Sequence, residues 1–173
     1  MTNEVLEIIK KRRSVRSYKQ EAVPEELLDA VLEAGTFAPT GMNKQSPVII
    51  SVTSEKYRKE LSRLNAEVLG KETDPYYGAP AIVIVLANPE VGTFVEDASC
   101  VLENMMLAAA SLGLGSVWVN RERQIFDSER GKELLREWGL PERLRGVGSI
   151  ALGYAAAPLS EAGKRKENYI VKV

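Results

Sequence analysis

The run Ala81-Ile-Val-Ile-Val-Leu-Ala87 is apolar at every position and shows no alternation. A half-exposed strand alternates apolar with polar, so this run reads as a central strand covered on both faces, and the remaining chain must supply that cover. The longest apolar stretch, Ala79 to Ala87, is too short to span a bilayer. At 173 residues and 45% hydrophobic content the chain is the size of one domain and can bury a core of its own.

Candidate elements surround that strand. Asn3 is a plausible cap for an amphipathic helix from Glu4 to about Arg13, carrying Val5, Leu6, Ile8 and Ile9. Pro24, Glu25 and Glu26 open a second helix with the stripe Leu27, Leu28, Val31 and Leu32, and Gly35 stands where a left-handed cap is wanted. Pro47 to Thr53 is β-branched and strand-like, and Tyr57, Leu61, Leu64 and Val68 line a helix ending at Gly70. Asp97 to Leu112 is apolar around most of its circumference, which suggests a helix buried on nearly all sides and hints at a subunit interface. Ser116 to Val119 and Val147 to Leu152 read as strands, the latter weakened by Gly148, and Gly131 to Trp138 as a helix. The β-prone tail Tyr169 to Val173 follows a polar stretch and needs something to pair with. With no repeat and no long linker, residues 1–173 form a single domain whose tail, from about 160, is free to pack on a second subunit.

Composition removes whole classes of chemistry. The chain has 0 His and 1 Cys, so no Ser-His-Asp triad, Cys-His dyad, histidine zinc site or iron–sulfur cluster is available, and no metal site is expected. The single Cys100 reads as a buried small hydrophobe, and the lack of a disulfide points to a reducing, cytoplasmic setting. The N-terminal stretch has no apolar run of signal-peptide length, so a soluble chain with no membrane association is expected. A net charge of -1 with 6% aromatics argues against nucleic acid as a partner.

Two stretches stand out. Residues 10–19, Lys-Lys-Arg-Arg-Ser-Val-Arg-Ser-Tyr-Lys, hold six basic groups and no acid. If the chain is extended there, Arg12, Ser14 and Arg16 project to one side and line a phosphate-sized site; otherwise the run is a solvated face at a helix C-terminus. The loop Ala38-Pro-Thr-Gly-Met-Asn-Lys-Gln-Ser-Pro47 concentrates Thr40, Asn43, Gln45 and Ser46, either as a binding loop or as ordinary turn chemistry. Gly113-Leu-Gly-Ser116 ends a helix and precedes a strand, the wrong order for a nucleotide-binding glycine loop. Asp97 and Glu103, six residues apart, fall on different helix faces and do not form a carboxylate pair.

Taken in order, the Ile8/Ile9-Lys-Lys-Arg-Arg-Ser-Val-Arg start, the Ala38–Pro47 loop, the Asn104-Met-Met-Leu-Ala-Ala helix running into Gly113-Leu-Gly-Ser116, and Ile150-Ala-Leu-Gly-Tyr154 resemble the FMN-dependent nitroreductase family over about residues 4–166. The resemblance implies an α+β fold, a mixed sheet flanked by helices, with FMN at a homodimer interface. It implies that Arg12, Ser14 and Arg16, within a run that includes Arg13, hold the FMN phosphate, with Lys164, Arg165 and Lys166 as a second anchor. It further implies that Pro39, Thr40, Gly41, Asn43 and Gln45 reach the cofactor partly from the second subunit. Trp118, Val119 and Asn120 would lie along the flavin ring, in a segment where Asn120 and Arg121 depart from the family's Pro-x-Glu-Gly pattern. No catalytic side chain is needed, because the flavin carries the chemistry. The implied activity is NADH- or NADPH-dependent reduction of nitroaromatics, quinones or related small acceptors by a ping-pong route. The alternative is a non-catalytic FMN-binding or sensing dimer. The short connections Asp74 to Gly78 and Asn88 to Thr93 leave little chain for the lid of the family's flavin-fragmenting members.

Overall fold

The computed structural model describes residues 2–173. Its centre is a four-stranded sheet in the order β1 (Val48–Val52), β2 (Ala81–Ala87), β4 (Arg145–Gly153), β3 (Gly115–Val119), with every neighbouring pair antiparallel. A single parallel bridge, Ser14 to Ser116, adds the N-terminal segment to the rim beside β3.

All seven residues of β2 are buried, as the unbroken apolar run requires, and they alternate between two cores. Ile82, Ile84 and Leu86 face α3 (Glu55–Leu69), α5 (Glu122–Asp127) and α6 (Glu129–Glu137), where Leu61, Leu64, Ile125, Phe126 and Leu134 meet them. Ala81, Val83, Val85 and Ala87 face α2 (Glu25–Thr36) and α4 (Phe94–Ser111), meeting Leu28, Val31, Val101, Leu102 and Met105. Burying a Val, Leu or Ile side chain contributes roughly 1.5–3 kcal/mol, so this strand is the main source of cohesion between the layers.

α1 (Glu4–Lys11) forms as expected, with the Asn3 side chain accepting from Leu6 N at 2.9 Å. It buries none of its residues: Val5 is 65% and Ile9 50% exposed. α3 ends at Gly70 in the left-handed region, although Val68, near that end, is exposed rather than part of the buried stripe.

Several expectations change. Gly35 is not a left-handed cap; it lies inside α2, where a Cβ would come within 2.9 Å of Ile49 Cδ1 and Met105 Cγ, so its role is close packing of α2 against α4 and β1. Cys100 is exposed, because α4 turns a stripe of Glu96, Cys100 and Glu103 to solvent. The apolar circumference of α4 is buried within its own chain, against α2 and the sheet, and the uncovered apolar surface belongs to α1 instead. The helix α5 is additional to those expected. The tail from Tyr169 to Val173 forms no strand and is exposed along its length.

Candidate functional site

After α1 the chain is extended, as one of the two alternatives required. Val15 N donates to Ser116 O at 3.0 Å, Val15 and Tyr18 are buried, and Ser14 and Arg16 are exposed. The Tyr18 hydroxyl lies 2.8 Å from Val15 O and 2.9 Å from Ala151 O, and burial pushes its phenol well up from the ordinary value. These two inward anchors fix the segment against the sheet and leave Ser14, Arg16 and Ser17 outward. Arg12 is partly covered, its Nε 3.9 Å from Glu103 Oε1. Arg13 behaves differently: it donates to the carbonyls of Lys10 at 2.7 Å, Arg12 at 2.5 Å and Ser160 at 3.2 Å, and so fastens the chain to its own tail.

The structure does not bring Lys164, Arg165 and Lys166 to this segment. All are exposed; Arg165 donates to Gly163 O, and the Lys166 ammonium lies 5.1 Å above the Tyr169 ring. Among the described residues the tail is held only as far as its start, by Ala156 N to Ser17 O at 2.9 Å and by the Arg13 bond to Ser160.

The loop between α2 and β1 is locally strained. Met42, Asn43 and Gln45 have φ of 52°, 54° and 48°, and such conformations cost about 1–2 kcal/mol each for a non-glycine residue. What stabilises them is Asp97, buried in the first turn of α4, which accepts from Gly41 N at 2.9 Å and from the Thr93 hydroxyl at 3.1 Å. A Cβ at Gly41 would meet Thr93 Oγ1 at 2.4 Å, so only glycine lets the loop sit this close. Within the loop, Gln45 N donates to Thr40 Oγ1 at 3.1 Å and Gln45 Nε2 to Asn43 Oδ1 at 3.0 Å. Pro39, Asn43 and Gln45 are exposed, and Phe37 and Met42 beside them are 78% and 84% exposed. The loop is anchored at the first turn of α4 through Asp97, whereas the basic segment runs beside β3 through Ser14 and Ser116 and reaches the middle of α4 through Arg12 and Glu103.

The third part is the turn from β3 into α5. Trp118 covers Gly148, where a Cβ would fall 2.8 Å from the indole, and its Nε1 donates to Asn120 Oδ1 at 2.8 Å. Val119 is buried at the end of the strand and Asn120 is exposed. Arg121 has φ 89°. Asn65 of α3, fully buried, donates to Asn120 O at 2.9 Å and accepts from Arg121 Nε at 2.6 Å. Next to it Glu122 is fully buried, accepting from Ser149 Oγ at 2.5 Å and from the Tyr76 hydroxyl at 2.9 Å, with Oε2 lacking a hydrogen-bond partner among the described residues. Desolvation raises its carboxyl from 4.5 to about 7, against the opposing bonds from Ser149 and Tyr76 and the nearby Arg121 charge.

Asp97, Asn65 and Glu122 therefore organise the site, yet none of the three stands out as a site residue in the sequence. Asp97 is weighed there only as half of a carboxylate pair. The available signal was an acid in the first turn of an otherwise apolar helix.

A helix-flanked antiparallel sheet with a basic rim segment and a strained polar loop defines an α+β binding scaffold. Comparison with known proteins is specific. A model of the Nitroreductase family matches residues 9–154. A nitroreductase with bound FMN from Bacteroides fragilis superposes with a TM-score of 0.92 at 35% identity, covering 99% of this chain and 100% of that one. A nitroreductase with bound FMN from Desulfitobacterium hafniense gives 0.89 at 29% identity, with all of both chains covered. A protein of Methanothermobacter thermautotrophicus, provisionally named NADH dehydrogenase/NAD(P)H nitroreductase, is 35% identical over 164 residues, covering 88% of this chain and 78% of the relative. The chain belongs to the nitroreductase family.

Proposed function

We propose that this chain is an FMN-dependent oxidoreductase that takes reducing equivalents from NADH or NADPH and passes them to nitroaromatics, quinones or related small acceptors in a ping-pong cycle. The observation that carries it is the exposed placement of Ser14 and Arg16 beside β3, with Arg12 partly covered next to them, in a family whose FMN-bound members superpose on essentially the whole chain. Two guanidinium groups flanking a hydroxyl fit a phosphate monoester in donor number and charge, so the residues present suit the cofactor.

Bound FMN would supply the electron-carrying chemistry, so no catalytic side chain is needed. Arg12, Ser14 and Arg16 would hold the phosphate, with Lys164, Arg165 and Lys166 closing over it once the tail is ordered against a partner. Pro39, Thr40, Gly41, Asn43 and Gln45 would form the polar wall, with free amide donors on Asn43 and Gln45 for the polar edge of the ring. Trp118, Val119 and Asn120 would support the ring itself. Arg13 belongs to the proposal only as the residue that secures the segment.

A homodimer is part of the same proposal. Uncovered apolar side chains at Val5, Ile9, Phe37, Met42, Ile170 and Val171 support a covering partner. No helix among the described residues is long and apolar enough to cross a membrane, and a cytoplasmic location is proposed with the unpaired cysteine in mind.

Steady-state consumption of NADH and NADPH with a quinone acceptor tests the activity. Turnover with parallel double-reciprocal lines is the expected result. A chain that binds FMN but oxidises neither nucleotide is instead the sensing dimer.

A further inference from the structure

Asn65 touches both residues of the β3–α5 turn across a sequence separation of 55 and 56 residues. It also donates to the Tyr76 hydroxyl at 3.2 Å, so its amide is locked from the core side. A trans peptide carries its carbonyl and its N–H on opposite sides. The Asn120 carbonyl is turned inward to Asn65, so the N–H of Arg121 is turned outward, and there it has no acceptor among the described residues. Arg121 holds φ 89°, a conformation that costs a non-glycine residue about 1–2 kcal/mol. The pair of bonds to Asn65 is what offsets that cost.

We propose that Asn65 is a positioning residue for electron transfer: by clamping the Asn120 carbonyl and the Arg121 side chain, it presents two donors, the Arg121 N–H and its guanidinium, to the flavin ring. The inference rests on the function proposed above, and on Trp118 to Arg121 as the segment beside the ring. A fixed cation at that place favours the reduced, more negative form of the cofactor. Asn65 touches no ligand itself and acts through Arg121.

The test compares the affinity of the chain for oxidised and for reduced FMN, from fluorescence titration together with the midpoint potential of the bound flavin. In Asn65→Leu the preference for the reduced form falls about tenfold, equivalent to about 30 mV for a two-electron couple. Asn65→Asp falls similarly, because its carboxylate cannot donate to Asn120 O and offsets the Arg121 charge. Tyr76→Phe, which leaves both bonds to the turn in place, lowers thermal stability but keeps the preference within twofold of wild type. Should Asn65→Leu not fold, Arg121→Gln, which removes the charge without entering the core, carries the same tenfold expectation. An unchanged preference in the Asn65 variants, or an equal fall in Tyr76→Phe, overturns the inference while leaving the proposed function standing. A wild-type chain that takes up no FMN overturns both.

Discussion

Arg16 and Arg13 sit three residues apart and differ in where their donors go. Arg16 points outward and its one side-chain hydrogen bond among the described residues is a long 3.5 Å approach to Ser14 O, whereas Arg13 is bonded to three backbone carbonyls of its own chain. A charge-assisted hydrogen bond contributes about 1.5–3 kcal/mol, so Arg16→Ala is expected to weaken FMN binding by roughly 10–100-fold. Arg13→Ala acts mainly on stability, and titration of both variants with FMN checks the order; equal losses would place Arg13 on the phosphate as well. Glu122 gives a second prediction. Its carboxyl stands at about 7 when folded and 4.5 when not, so between those values the folded chain holds the extra proton and stability falls as pH rises. The loss is complete above pH 7 and is on the order of 3 kcal/mol. Glu122→Gln removes it, flattening the dependence of Tm on pH between about 4.5 and 7; parallel curves for variant and wild type would contradict the assignment.

At the scale of elements, the loop from Ala38 to Pro47 depends on α4 for its shape. Asp97→Ala leaves Gly41 N and the Thr93 hydroxyl without their acceptor, at a cost of about 1–3 kcal/mol, and releases a loop that is strained at three positions. Faster amide exchange at Gly41 with α4 still protected is the expected signature, and unaltered exchange would remove Asp97 from this role. Gln45, on that loop, is expected to influence the flavin potential more than Lys19 does, which a redox titration of the two alanine variants decides; equal potentials refute it. These elements also show what local pattern reveals. β2 was readable because burial on both faces leaves no polar position, and the extended run after α1 because it follows the last helical turn and carries β-branched Val15 inward. The six-residue α5 was not, since its turn is set by Arg121 at positive φ and by Asn65, 56 residues away. Gly35 looked like a cap because it stands near a helix end, and only the packing of Met105 and Ile49 against it shows otherwise. Asp97, Asn65 and Glu122 escaped notice for the same reason, as each owes its role to partners distant in sequence.

For the whole molecule, the fold leaves apolar surface on α1, around the loop and on the tail, while the core behind it is complete. Ile9→Glu, on the exposed face of α1, is therefore expected to yield a folded monomer with weakened FMN binding, as read by sedimentation and titration. A variant that stays dimeric would move the interface elsewhere. This scaffold is expected to hold a flavin that nicotinamide reduces. That expectation is tested most directly by the visible spectrum of the freshly purified protein, taken before and after acid release of the chromophore and after anaerobic addition of NADH or NADPH. A released FMN spectrum and bleaching of the bound band by at least one of the two nucleotides are expected. A colourless protein that also takes up no added FMN would contradict it.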